Sequence, residues 1–479
     1  MAPSPTLCFG LLLQTLSATL MFAVFKRQTL RLVGPYFIFG ALVYHGLTEV
    51  VQRMTGQLSL YHVYAATADI DIWTVYAGFA MLLYTFGYVI VRKPARDHQT
   101  KFDVIMVFRI LDWRVLVVLL VPLVAVVGTT GNKSTQVSQI STLTGLAQQF
   151  LILTLILATV GFIITHGNRI LLPILVQLMV MTVAGSRLNI FIAAATTVFT
   201  LTLLRRAPSR RQLLATVAVA SVLVLSVSGA RTYFGRAQFG AASLTSRAQL
   251  LIDGLSESLQ GNPNKLLGQS QPVGERLDGN SFPAAIIASE RRGHEPVGLT
   301  TLRNNLLLAI PSFLNPAKLD SSEATRSEKA YLNEHFETQI EGDFLPTQLG
   351  AVVGYYGPFG LMLLSPLFGW ILGFAERQFR RCLSPSRLVL CITLFTCVLN
   401  YSSGTDIWPL SFRGAIVVVI FLFLLRAVQG KSFWRKGEAS DFADDSFIPL
   451  RAEVTAVGRP AISSQRPGRN VAQPRIHRV

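Results

Sequence analysis

The chain has 479 residues, of which 51% are hydrophobic and only 14% charged, with a formal net charge of +17. Soluble globular proteins carry about 25% charged residues, so this composition excludes a fully water-solvated exterior. The positive charge needs no nucleic-acid partner, because in a membrane chain an excess of Lys and Arg reports topology.

Apolar stretches of about 20 residues, each long enough to cross a hydrocarbon layer of about 30 Å, recur along most of the chain. In order, they place spans near 7–25, 32–51, 72–91, 115–130, 146–165, 170–185, 189–204, 212–229, 347–374, 386–403 and 411–428. The expected fold class is therefore all-α, a polytopic membrane helix bundle of about eleven spans. The first run, from Leu7 to Phe25, lacks the basic flank and small-residue cleavage site of a removable signal peptide. Cys8, Cys382, Cys391 and Cys397 all lie in or beside spans, so neither a disulfide-stapled ectodomain nor a zinc site is supported.

Alternate connectors are basic: KRQTLR at 26–31, RKPARDHQTK at 92–101, RRAPSRR at 205–211 and ERQFRR at 376–381, with the tail from Lys431 in the same set. GNR at 167–169 adds one arginine to them. The positive-inside rule puts these connectors in the cytoplasm and the N-terminus outside. Between Arg231 and Asp343, eleven Lys/Arg meet thirteen Asp/Glu, so the excess positive charge sits elsewhere. The resulting organisation is a first membrane bundle over 1–230, a large external (periplasmic) loop over 231–346, the last spans over 347–430, and a basic tail over 431–479. That tail mixes charge with Gly, Ser and Pro and is read as disordered and cytoplasmic.

A continuous helix from Ile170 to Leu204 would be roughly 50 Å long, far more than one crossing needs. Ala184-Gly185-Ser186 breaks it into two spans joined by a tight outer turn. Arg187 then lies at the external interface, either as a snorkelling anchor or as an anion-binding cation. The external loop is too long for a connector. Within it, AQLLIDGLSESL (248–259) reads as an amphipathic helix, and TLRNNLLLAIPSFL (301–314) has an apolar face suited to a membrane surface. SSEATRSEKAYLNEHFE (321–337) is polar, and either helical or mobile. The loop ends in EGDFLPTQLGAVVGYYGPFGLMLLSPLFGW (341–370), whose glycines allow helices or a lipid chain to approach closely.

RLDGNSFPAAIIA from Arg276, followed by LLLAIPSFLNPAKL, resembles segments of oligosaccharide repeat-unit polymerases, the Wzy-type O-antigen and exopolysaccharide polymerases. Ile310-Pro311-Ser312-Phe313-Leu314-Asn315-Pro316-Ala317-Lys318 is similar to the family's proline-rich run, with Ser312 in place of its arginine and Leu314 in place of its tryptophan. Tyr355-Tyr356-Gly357-Pro358-Phe359-Gly360 is similar to the entry of the family's following span. AGSRLNIF and FRGAI (412–416) resemble its arginines at two outer turns. The resemblance covers roughly residues 180–430, and O-antigen ligases share the architecture, so polymerase and ligase both remain open.

The resemblance implies glycosyl transfer from a polyprenyl-diphosphate-linked sugar chain at the outer face of the cell inner (cytoplasmic) membrane. Charge builds on the diphosphate as its bond to the sugar breaks, and preorganised cations stabilise it. Arginine suits that task because its planar fork binds phosphate oxygens in pairs. Arg187, Arg276, Arg303 and Arg413 are the expected diphosphate-binding set. A general base would deprotonate the acceptor hydroxyl. The outward candidates are Glu275, Asp278, His335, Glu341 and Asp343, with Asp278 and His335 preferred. Lipid head-group contact accounts for Arg231 and Arg236.

Asp69-Ile70-Asp71 could hold a divalent cation, but polymerases of this type are thought to be metal-independent, so no metal and no cofactor are expected. His45 reads as a packed polar group, with a proton relay as the alternative. Expected partners are the lipid-linked oligosaccharide and membrane lipids, with a chain-length regulator and a flippase as further candidates and no nucleic acid. The competing readings are a ligase passing the glycan to another acceptor, a secondary transporter or flippase for lipid-linked oligosaccharide, and a non-catalytic envelope scaffold. Against the transporter stand the lack of two similar halves and the small number of mid-span charges.

Overall fold

The structure is a computed structural model that describes residues 4–55, 65–91, 187–203, 210–234, 244–260, 278–298, 328–338, 346–381 and 385–405, with scattered positions in 153–182, at 242 and in 408–420. Every regular element among them is helical. Helix α1 (Pro5–Phe25) starts at Ser4, whose Oγ accepts the Leu7 N–H, with Pro5 in the first turn where its missing N–H costs nothing. A 3-10 turn, Lys26–Arg31, leads into α2 (Gly34–Ala41). The chain then continues through a π-helical turn, Leu42–Leu47, into α3 (Thr48–Thr55) with helical backbone angles at both junctions. Next come α4 (Thr67–Val91), α5 (Arg187–Leu203), α6 (Arg210–Tyr233) and α7 (Leu244–Gln260). They are followed by α8 (Ser281–Arg291), α9 (Glu328–His335), α10 (Gln348–Arg381) and α11 (Pro385–Leu399).

Three helices, Pro5–Phe25, Thr67–Val91 and Gln348–Arg380, are long and apolar enough to cross a membrane; Ile190–Leu203, Val217–Arg231 and Ser386–Leu399 are shorter apolar helices. Helices α1 to α6, α10 and α11 fall on the spans read from hydropathy at 7–25, 32–51, 72–91, 189–204, 212–229, 347–374 and 386–403. The span expected at 115–130 and the tail at 431–479 lie outside the described residues. Those at 146–165, 170–185 and 411–428 are described at scattered helical positions only.

The bundle has the polarity of a lipid-solvated protein. Phe9, Leu12, Leu16 and Phe22 of α1 face outward, while Gln14 and Ser17 of the same helix are buried. Inside, the Ser17 hydroxyl meets that of Thr85 at 2.8 Å, and the Gln14 side chain donates to the Thr74 carbonyl at 3.3 Å. Polar groups are satisfied between helices and the apolar surface is turned out, as lipid requires.

The crossing of α4 and α10 depends on two glycines. A Cβ at Gly87 would lie 2.0 Å from the Pro366 carbonyl oxygen, and one at Gly369 would lie 2.1 Å from that of Tyr84. Both obstacles are backbone, so no rotamer change relieves them. Gly369→Val should force the helices apart and cost about 1–3 kcal/mol or more. A lowered melting temperature of the detergent-purified protein would register that loss.

Helix α10 bends at Gly357, whose φ of +67° only glycine adopts without strain, immediately before Pro358. Pro358 has no N–H for the Gly354 carbonyl, and the bend frees the Tyr355 carbonyl. The loop residues Val297 and Gly298 donate their N–H groups to these two carbonyls, at 3.3 and 2.7 Å. The segment after α8 is thereby tied to the kink.

The charges sort to two ends. Around the Lys26–Arg31 turn, Arg380 donates to the Arg31 carbonyl (2.9 Å) and to the buried Glu376 (3.1 Å), and Arg377 donates to the Val91 carbonyl at 3.4 Å. Glu376 also accepts from the Tyr88 hydroxyl and the Val33 N–H. At the other end of α1 and α4 lie Ser4, Asp69 and Asp71, with Arg53 bonded to Asp71.

Candidate functional site

The end of the bundle that holds Asp69 and Asp71 carries a continuous buried polar network. His45, Glu49 and Asn280 are each 0% exposed. The π-helical turn supplies the first of them. It leaves the Thr48 N–H bonded to the Val43 carbonyl five residues back, and the Thr48 hydroxyl takes the same carbonyl at 2.7 Å. Single π-turns widen a helix locally and concentrate at functional sites.

Asn280, from the segment before α8, is the hub. Its amide nitrogen donates to the His45 carbonyl and to Glu49 Oε2, both at 3.1 Å. Its Oδ1 therefore accepts, from Trp73 Nε1 at 3.1 Å and from His45 Nδ1 at 3.0 Å. With the proton on Nδ1, His45 Nε2 accepts from the Tyr401 hydroxyl at 2.8 Å. Glu49 Oε1 takes Arg53 Nε at 2.7 Å, Arg53 extends to Asp71 at 2.5 Å, and the Ser4 hydroxyl closes the chain on Asp71 Oδ2. One row of hydrogen bonds thus joins α1, α3, α4, the π-turn, the head of α8 and the turn after α11.

Helix α8 explains why the loop reaches this deep. Ser281 through Ile287 are all buried, so the helix is enclosed on every side rather than amphipathic. It runs beside the first part of α10 in the same direction. Cβ atoms built at Gly350, Gly354 and Gly357 would touch or approach Pro283, Ile286 and Glu290 in turn. The buried Leu332 of α9 lies against Gly354 of α10, and Ser289 of α8 donates to the carbonyl of the buried Phe336, which follows α9, at 2.7 Å. Glu328 at the head of α9 accepts from the Thr405 N–H and hydroxyl at 2.7 and 2.6 Å.

The residues expected from sequence distribute as follows. Asp278 is 2% exposed and its carboxylate accepts the N–H groups of Asn280 and Ser281 and the Ser281 hydroxyl. It fastens the start of α8. His335 is in the last turn of α9 with Nε2 2.9 Å from the Glu295 carbonyl, beyond the other end of α8. The two therefore flank an 11-residue helix, about 16 Å long, and do not meet. Arg187 is the first residue of α5. Phe199, later in that helix, stacks on Phe395 and meets Tyr36 just after the Lys26–Arg31 turn. Arg187 consequently begins α5 away from the basic turn. Arg276, Arg303, Arg413, Glu275, Glu341 and Asp343 lie outside the described residues. Asp69 and Asp71 take different partners: Arg291 holds Asp69 at 2.7 Å, and Arg53 and Ser4 hold Asp71.

Sequence reasoning missed Glu290. Burial raises its carboxyl to about 7, and its Oε1 is sealed from solvent without a hydrogen-bond partner among the described residues. The available signal was an acidic residue closing an apolar run, in the last turn of a helix whose dipole disfavours negative charge there.

The observed architecture defines an all-α protein with several candidate membrane-spanning helices, which indicates a multi-pass membrane protein. Comparison of the chain with protein-family models, with curated proteins and with solved structures returns no match.

Proposed function

We propose that the chain is a membrane glycosyltransferase that polymerises polyprenyl-diphosphate-linked oligosaccharide repeat units into O-antigen, capsule or exopolysaccharide at the outer face of the cytoplasmic membrane. The observation that carries this reading is the docking of the large loop's helices α8 and α9 onto the bundle end that lies away from the Lys26–Arg31 turn. Surface chemistry on a lipid-linked substrate needs a capped, one-sided site of this kind. Arg187 begins a helix away from the basic turn, and its first-turn N–H groups add to the field an anionic headgroup would meet. Arg276 is two residues before the buried Asp278, which fastens α8. Arg187, Arg276, Arg303 and Arg413 hold the diphosphate in this proposal, with Asp278 as the anchor that orients Arg276's segment and His335 at the loop's outer side. A chain-length regulator and a flippase are its proposed partners.

The His45–Asn280–Glu49–Arg53–Asp71 row favours a second reading, a transporter for lipid-linked oligosaccharide, because polar chains between helices can move protons. Deletion of the gene followed by gel analysis of cell-surface glycan separates the readings. Single repeats in place of a ladder identify the polymerase. Polymer left on its lipid carrier identifies a ligase. Repeat units retained on the cytoplasmic leaflet identify a transporter, and an unchanged ladder sinks all three.

A further inference from the structure

We infer that Glu290 is the proton acceptor for the sugar hydroxyl that attacks in the transfer reaction, an assignment resting on the glycosyl-transfer reading above. Glu295, Glu334 and Glu337 are exposed, and the other described carboxylates of the docked end are committed. Arg53 holds Glu49 and Asp71, Arg291 holds Asp69, three donors fill Asp278, and Thr405 holds Glu328. Glu290 alone among the described residues keeps a carboxylate oxygen that is both sealed and without a donor.

Its placement suits that task. The Oε1 atom lies 3.6 Å from where a Cβ of Gly357 would stand, beside the one bend in α10 where the backbone turns to positive φ. The carbonyls released at the bend are taken by Val297 and Gly298, so the bend's own hydrogen bonding closes without the carboxylate. Pro296 also lies at the kink, 3.0 Å from the same Cβ position, so a hydroxyl reaching Oε1 must part this contact, and it then finds an acceptor with no donor to displace. The charged and titratable neighbours on the packed elements are Arg291 with Asp69, Arg292, His294 with Glu337 at 3.9 Å, Glu295 and Tyr356. Desolvation is what brings Glu290 to about 7, a value suited to accepting a proton near neutrality.

In the step, the hydroxyl oxygen bonds to the anomeric carbon as that carbon's bond to the diphosphate oxygen breaks. The electron pair leaves with the lipid diphosphate. The hydroxyl proton passes to Glu290 and from there to water.

The test uses the full chain in membrane vesicles from a deletion strain that has accumulated its own lipid-linked repeat units. Wild type, Glu290→Gln and Glu290→Asp are compared by initial rate of ladder formation from about pH 5.5 to 8.5. Wild-type rate should climb with pH and level off above about 7, since the base must be ionised. Glu290→Gln should lose about 100-fold or more, with its residual rate flat across the range, and Glu290→Asp should recover part of the loss with a displaced rise. A Gln variant within about threefold of wild type, or one keeping the wild-type pH rise, overturns the assignment. So does failure of the isosteric Gln variant to accumulate, because that would make the carboxylate structural. If vesicles carrying wild type build no ladder, the glycosyl-transfer reading itself fails first.

Discussion

Arg53→Met should cost the protein about 3–5 kcal/mol, because it strands two buried carboxylates. The Arg53 side chain is 12% exposed, and its partners Glu49 and Asp71 are 0% and 8% exposed at distances of 2.7 and 2.5 Å. The ion triad contributes little net stability when whole, since bringing three charges out of water offsets their attraction. Removing only the cation leaves the desolvation cost without the attraction. Against a total folding stability of about 5–15 kcal/mol, such a loss is decisive. The damage should extend beyond α3 and α4, because Glu49 also holds Asn280 and therefore the head of α8. A neutral replacement of the whole triad, Glu49→Gln with Arg53→Met and Asp71→Asn, should recover most of the loss. Thermal unfolding in detergent measures both variants. A single Arg53→Met variant melting within about 2 °C of wild type would mean that the carboxylates find water or protons instead.

Arg187→Ala should abolish polymer with the protein still present in the membrane. A preorganised donor to developing charge is worth about 10²–10³ in rate, so a ladder should collapse to single repeats. Arg187→Lys should restore only part, because a lysine keeps the charge but not the paired N–H fork. Arg231→Ala, at the end of α6, serves as the control for a head-group anchor and should leave the ladder intact. A normal ladder from Arg187→Ala would return that residue to the anchoring role. Quantifying both the ladder and the membrane-inserted protein keeps loss of chemistry separate from loss of fold.

Much of the bundle could be read from hydropathy because a membrane constrains length and polarity one helix at a time. Helices α1, α4, α5, α6, α10 and α11 fall where apolar runs of sufficient length occur. The amphipathic run at 248–259 lies within α7, and the polar 321–337 stretch contains α9. The network was not legible, for a physical reason: apart from the i,i+4 pair Glu49–Arg53, its bonds join residues 18 to 356 positions apart, and no local period encodes them. His45 read as a packed polar group or a relay with no partner named, because Asn280 and Tyr401 belong to segments that meet it only in three dimensions. Asp69 and Asp71 read as a pair, yet two residues on a helix point roughly 200° apart, and each found its own arginine. SFPAAIIA looked like a small helix of an external loop. Its enclosure by α4 and α10 follows from glycines on the neighbouring helix at 350, 354 and 357, a stripe in its partner rather than in itself.

The hydrogen bond from Tyr401 to His45 carries a timing consequence for biogenesis. The two residues are separated by 356 positions, so at about 5–20 residues per second the ribosome needs roughly 20–70 s to deliver the second after the first. During that interval the segment from the second span to Thr55 holds an imidazole, a carboxylate and a guanidinium with several of their final neighbours still unmade. An insertase or a sibling helix must shelter them, and truncations upstream of residue 401 should leave the early segments trapped in that company.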